Sequence, residues 1–212
     1  HVSGIDINLN QGEGQMVVKG PIEPAFGELV VFVESDCLSL RISPGSFFQV
    51  NLVLLPEFHS RMAEFLGSGR LLVDLYAGVG THGLALRDQF RKVICVEGVR
   101  RSVADAKATI KAGSVKNVET VASPMRRALG RLRSEKPDAV ILNPSAAGAD
   151  RPALEAIAAS TARSVAYLSC EPATLARDMA VLRKGGFKLA TVQAIDMMPQ
   201  TRQVEALALL RR

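Results

Sequence analysis

The stretch VAYLSCEPATLARDM, residues 165–179, places Cys170 where an apolar strand gives way to a helix that Pro172 opens. Proline suits the first helical turn, because the N–H it lacks has no intrahelical partner there. A thiol at a helix N-terminus is favoured as thiolate, the form that attacks carbon; the adjacent carboxylate of Glu171 opposes that ionisation. Without a partner, Cys170 reads as an inert core thiol. Glu205, in PQTRQVEALALL, is the candidate partner: it begins an apolar strand, where a carboxylate is either a surface edge charge or a base. In a methyl transfer to an unreactive carbon, the two together would have a specific use. C5 of a uracil ring is a poor nucleophile, and addition of a thiolate to C6 converts it to an enolate able to attack a sulfonium methyl group. A base must then remove the C5 proton so that the thiol can leave.

The second constellation is DLYAGVGTHG, with Gly78, Gly80 and Gly83 in G-x-G-x-x-G spacing directly after an apolar run. Glycines there let the chain turn tightly and approach a ligand closely. Glu97 ends the next strand, about 20 residues on, where a carboxylate can accept from two ribose hydroxyls. A dinucleotide and S-adenosyl-L-methionine compete for this geometry. The dinucleotide needs a helix N-terminus for its pyrophosphate, and an apolar residue normally precedes the glycines. S-adenosylmethionine carries an ammonium and a sulfonium, so the negative charge of Asp74, acting directly or by ordering the turn, favours it.

These residues need a scaffold, and the pattern from residue 70 supplies one. RLLVDLYA, KVICVEG, NVETVAS, PDAVILNPS and RSVAYLS read as strands, each followed by a helical segment: GTHGLALRDQF, RSVADAKATIKAG ending at Gly113, MRRALGRLRSE, RPALEAIAAST and PATLARDMAVLRKGG. FKLATVQAID and QVEALALL follow as two strands without an intervening helix. The expected fold is α/β, a doubly wound, mostly parallel seven-stranded sheet with a terminal β-hairpin and one antiparallel strand near an edge. Ligands of such sheets bind at the carboxyl ends of the strands. Topology alone thus selects Asp74–Gly80, Glu97, Asn143 and Cys170. Residues 52–66 have helical spacing with Pro56 as an interruption. Residues 1–42 read as short strands, with turns at NQGEGQ and KGPIEP, too few to form a domain of their own. The expected division is a remnant of an N-terminal β-rich subdomain over 1–42 and the catalytic domain over 43–212.

Composition bounds the alternatives. The 212 residues are 48% hydrophobic and 22% charged, as in ordinary globular proteins. No run of roughly 18 apolar residues exists to span a membrane, and HVSGIDINLN lacks the pattern of a signal peptide. Cys37, Cys95 and Cys170 are scattered, which gives neither a disulfide framework nor a metal site and suits a reducing, cytoplasmic setting. The net charge of +5 is carried partly by RRALGRLRSEK and VRRS, solvated helix faces or contacts to a polyanion. No obligate protein partner is evident.

SPGSFFQVN, DLYAGVGTHG, SCEPATLARD and DMMPQTRQVE occur in the order found in the RNA uracil-5 methyltransferases, and the chain resembles that family over its whole length. The resemblance implies a class I S-adenosylmethionine methyltransferase fold that makes 5-methyluridine in RNA. It implies Cys170 as nucleophile and Glu205 as base. It also implies a cofactor site lined by Gln49, Tyr76, Glu97 and Asn143, alongside Asp74, Gly78 and Gly80. Phe47 or Phe48 would stack on a base, the latter preferred, and Arg177 would reach phosphate. Family members also carry an N-terminal RNA-binding region, sometimes with an iron–sulfur cluster, which is not seen in this chain.

Four departures stand out. The fourth strand ends Asn143-Pro144-Ser145-Ala146 in place of Asp-Pro-Pro-Arg, or of the Asn-Pro-Pro-Arg of a ribosomal branch. Glu171 replaces an Asn in the nucleophile motif, Gln203 a His, and Ser123-Pro124 follows the third strand in place of an acidic or amide residue. Asn143 therefore favours ribosomal over transfer RNA, and the lost arginine and the Glu171 charge raise a second reading, a relative that binds RNA or cofactor without turnover. A nicotinamide-dependent oxidoreductase is the third reading, disfavoured by Asp74 and the Cys170/Glu205 pair.

Overall fold

The computed structural model describes residues 2, 4–9, 20–27, 29–35 and 38–212. Cys37 and the segments NQGEGQ and GQMVVK fall outside them wholly or in large part. Two antiparallel hairpins come first: β1 (Gly4–Asn8) pairs with β2 (Ile22–Gly27), and β3 (Val31–Ser35) with β4 (Leu38–Ile42). The expected turn KGPIEP is shorter than read, since β2 already begins at Ile22. β4 buries Leu38 and Leu40 in the core shared with the main sheet. The helix it covers, α3 (Arg100–Ala112), ends at Gly113, where a Cβ would lie 2.5 Å from Leu38 Cδ2. A side chain at that helix end would have to displace the Leu38 methyl from the core.

A turn and an extended segment lead from β4 to α1 (Leu55–Leu66). Asn51 Oδ1 accepts from the amides of Val53 and Leu54 just before the helix. Pro56 does not interrupt this helix, as its position in the apolar run suggested; it lies in the first turn, where no N–H is missed.

The main sheet contains β5 (Gly69–Leu75), β6 (Phe90–Glu97), β7 (Val118–Ala122), β8 (Ala139–Leu142), β9 (Ser164–Ser169), β10 (Lys188–Ile195) and β11 (Glu205–Arg211), in the order β10-β11-β9-β8-β5-β6-β7. β5 to β9 pair in parallel, and β11 runs antiparallel between β9 and β10. The doubly wound seven-stranded sheet and terminal hairpin are those expected. β5 lies at the centre and carries buried apolar residues on both faces, as a parallel strand covered on both sides does, with Asp74 the one buried charge among them. Leu71, Val73 and Leu75 pack on one side with α4 (Met125–Glu135), α5 (Arg151–Ala158) and α6 (Pro172–Lys184). Leu72 packs on the other side with α1, β4 and α2 (Thr81–Ala85). α2 is shorter than expected: its last residue is Ala85, and a 3-10 turn over Arg87–Gln89 leads straight into β6.

Candidate active site

The glycine turn caps β5. Tyr76 (φ 59), Gly78 (φ 56) and Gly80 (φ 84) all adopt left-handed backbone, which folds the chain back before α2. Glu97 braces the turn from the end of β6. Its carboxylate accepts from Gly78 N at 2.9 Å and from Val99 N at 2.7 Å. Asp74 is fully buried beneath the turn and accepts from Gly83 N at 2.9 Å. Its other oxygen, Oδ1, has no hydrogen-bond partner. Burial raises its pKa to about 7, opposed by the Gly83 bond and reinforced by the Glu97 charge. Of the two roles open to Asp74, ordering the turn is the one this geometry supports. A Cβ on Gly83 would fall 2.6 Å from Cys95 Sγ, so the third glycine lets helix and strand touch.

SPGSFFQVN crosses above the turn. Its first half is held by Asp105 of α3, which is fully buried. The Asp105 carboxylate accepts from Ser43 N at 2.9 Å, Ser43 Oγ at 2.7 Å, Ser46 Oγ at 2.6 Å and the Arg41 guanidinium. This places the Phe47 carbonyl 3.0 Å from where a Gly78 Cβ would be, a backbone approach so close that a side chain there would push the segment away. The Phe47 ring is 56% exposed at the mouth, whereas Phe48 packs partly buried against the core. Gln49 turns inward and is buried.

Gln49 meets a residue that sequence reasoning missed. His82, the second residue of α2, lies with its Nε2 3.2 Å from Gln49 Nε2 and 3.4 Å from Asn143 Nδ2, and with its Nδ1 3.2 Å from His59 Nε2. A signal existed: the chain has only three histidines, and one follows the glycine turn directly. Burial, reinforced by His59, pushes the His82 pKa down to about 3, so the ring is neutral.

Sheet register brings the chemistry together. Ala206 of β11 pairs with Ser169 of β9, so the antiparallel step beyond sets Glu205 beside Cys170. Glu205 is buried, and that burial raises its pKa to about 7. Cys170 is half-buried, and its thiol is raised by burial first and by the charges of Glu205 and Glu171, with its own backbone lowering it. The helix N-terminus therefore does not produce the lowered thiol pKa that its position suggested: desolvation and two carboxylates outweigh it. Glu171 has a structural use. Its side chain caps α6 by accepting from Ala173 N at 3.2 Å.

Arg177 is tied to the loop after β8. It donates to Asp178 Oδ1 at 2.8 Å and to the Ala147 carbonyl at 2.9 Å. Asp178 in turn accepts from Tyr167 Oη and Ala149 N, and Tyr76 Oη accepts from Asp150 N. The loop carrying Ser145-Ala146 is thereby fixed from three sides. Among the described residues no group of His, Cys, Asp or Glu is placed to hold a metal ion, and no helix is long and apolar enough to cross a membrane.

A glycine turn with an acidic brace, a seven-stranded sheet and an inserted antiparallel strand define the class I methyltransferase fold. Residues 30–212 match the tRNA (uracil-5-)-methyltransferase family, and the chain belongs to it. It is 32% identical over 98% of its length to an uncharacterized RNA methyltransferase of Oceanobacillus iheyensis, covering 46% of that protein. To one of Clostridium acetobutylicum it is 33% identical over 100% of its length, again covering 46%. The chain thus spans about half the length of the relatives it matches. Among solved structures, the tRNA (uracil-54, C5)-methyltransferase of Pyrococcus abyssi, crystallised with S-adenosyl-L-homocysteine, superposes with a TM-score of 0.81 at 26% identity, covering 99% of this chain and 51% of that one.

Proposed function

We propose that this chain is the catalytic portion of an enzyme that methylates C5 of uracil in RNA, with Cys170 as nucleophile and Glu205 as base. The observation that carries the reading is the β9–β11 register, which sets a half-buried thiol beside a buried carboxylate at the ligand-binding end of the sheet. S-adenosylmethionine, when bound, would supply an electrophilic methyl group, the S–CH3 bond breaking to leave the neutral thioether. Gly78 and Gly80, whose left-handed backbone makes the tight turn at the end of β5, would hold it there. Tyr76, Glu97, Gln49 and Asn143 would line its site, and Asp74 orders the turn from beneath.

The Cys170 thiolate adds to C6 of the uracil, and the displaced π electrons give C5 the carbanion character with which it takes the methyl group. Glu205 then accepts the C5 proton, C5=C6 re-forms, and the C6–S bond breaks to return the thiolate. A carboxylate raised to about 7 is matched to this work near neutral pH. Phe47, the exposed ring, takes the stacking role in preference to Phe48, and Arg177 offers its outward edge to phosphate. Asn143 favours ribosomal RNA as the substrate. The second reading, cofactor or RNA binding without turnover, draws on the Glu171 charge, which helps to hold the thiol protonated.

The test is transfer of labelled methyl to uridine-containing transfer and ribosomal RNA, with nucleoside chromatography of the digest. Label in 5-methyluridine, lost in Cys170→Ala while S-adenosylhomocysteine affinity persists, supports the proposal. Label at another position, or undiminished transfer by Cys170→Ala, contradicts it. Cofactor binding without transfer favours the second reading.

A further inference from the structure

We infer that His82 is a positioning residue for the cofactor site, a neutral imidazole that ties the amides of Gln49 and Asn143 together and takes its tautomer from His59. The inference rests on the reading that these two amides face S-adenosylmethionine.

The four side chains come from four separate elements: Gln49 from the segment before α1, His59 from α1, His82 from α2 and Asn143 from the end of β8. His59, His82 and Gln49 are 5%, 2% and 8% exposed, so water offers them little alternative pairing. A neutral imidazole has one N–H and one lone pair. Both amide nitrogens approach Nε2, at 3.2 and 3.4 Å, and an amide nitrogen can only donate. Nε2 must therefore hold the lone pair, which leaves the proton on Nδ1, where it is donated to His59 Nε2 at 3.2 Å. The rings of His59 and His82 meet edge to face, 5.4 Å between centroids, consistent with that in-plane bond.

The consequence falls on the amides. An amide whose NH2 group is committed to His82 presents its carbonyl oxygen on the opposite edge. Gln49 and Asn143 are thus fixed as acceptors, suited to the ammonium and hydroxyl donors of the cofactor, without a choice between flipped rotamers. Protonation would turn Nε2 into a donor facing two donors. The low basicity of the ring keeps that state away from physiological pH.

Two measurements on this chain test the inference. Long-range 1H–15N spectra of the imidazoles in the wild-type protein should show His82 in the Nδ1–H form; the Nε2–H form would overturn it. Calorimetry with S-adenosylhomocysteine should show His82→Phe weakened about tenfold, the size of one lost positioning hydrogen bond. His82→Gln, which can return an acceptor near Nε2, should recover to within about threefold, and Gln49→Ala combined with His82→Phe should lose clearly less than the sum of the two single losses. Equal affinity in His82→Phe, no recovery in His82→Gln, or additive losses would each overturn the positioning role. Where His82→Phe does not fold, the tautomer and the His82→Gln affinity decide. A wild-type protein that does not bind S-adenosylhomocysteine would remove the cofactor reading itself, and this inference with it.

Discussion

Asp105→Asn changes one atom and removes the charge that anchors SPGSFFQVN over the glycine turn. All four groups that reach this carboxylate donate: Ser43 N, Ser43 Oγ, Ser46 Oγ and the Arg41 guanidinium. An amide has one acceptor oxygen, and its NH2 group would face donors with nothing to bond. The Asp105 side chain is fully buried, and breaking a buried pair costs about 3–5 kcal/mol. Arg41 is 29% exposed and can rehydrate, which places the loss near the low end, about 3 kcal/mol. For a domain of this size that corresponds to a melting temperature lower by roughly 6–12 °C. Scanning calorimetry measures it directly. Below the transition, the variant should also bind S-adenosylhomocysteine more weakly, because the Phe47 carbonyl and Gln49 follow the clasp. A melting temperature within about 2 °C of wild type, with unchanged affinity, would refute the claim that this carboxylate holds the segment in place.

Three further outcomes follow from the same geometry. Methyl transfer should fall as pH drops through about 7, because Glu205 must be ionised to take the C5 proton, and the raised Cys170 thiol should keep the rate climbing on the alkaline side; a rate independent of pH from 6 to 8 would contradict the assignment. Asp74 has a folded pKa of about 7 against 3.8 unfolded, so the folded state holds this proton longer and stability falls as pH rises between those values; urea unfolding at pH 6 and 8 should show that loss in wild type and a smaller one in Asp74→Asn. Gly78→Ala forces a Cβ onto left-handed backbone, about 1–2 kcal/mol, and to within 3.0 Å of the Phe47 carbonyl. Calorimetry should find the variant folded but about tenfold weaker for S-adenosylhomocysteine, and wild-type affinity would show that the glycine turn is not where the cofactor sits.

What was legible in the sequence was what is encoded locally. Strand–helix alternation from residue 70, the glycine turn, the helix end at Gly113 and the terminal hairpin all depend on periodicity or on one residue's backbone, and each was found. The same locality misled at Pro56, which in an apolar run looks like an interruption until the first turn of α1 is known to start there. The Cys170 thiol misled for a related reason: the helix N-terminus is visible in the chain, but desolvation and the Glu205 charge arise only when β11 lies against β9. Asp105 and Ser43 are 62 residues apart, and the imidazole of His82 gains its meaning from amides on two other elements. No pattern within a window of sequence announces such contacts.

The central claim is that Cys170 attacks RNA and Glu205 releases the product. RNA carrying 5-fluorouracil tests it most directly, since fluorine cannot leave as a proton and the adduct is trapped. Denaturing gels of this protein with that RNA and S-adenosylmethionine should show a shifted band that vanishes in Cys170→Ala, and Glu205→Gln should form a comparable band with unmodified RNA. A band that survives Cys170→Ala, or none in a protein that binds both RNA and cofactor, would contradict the account.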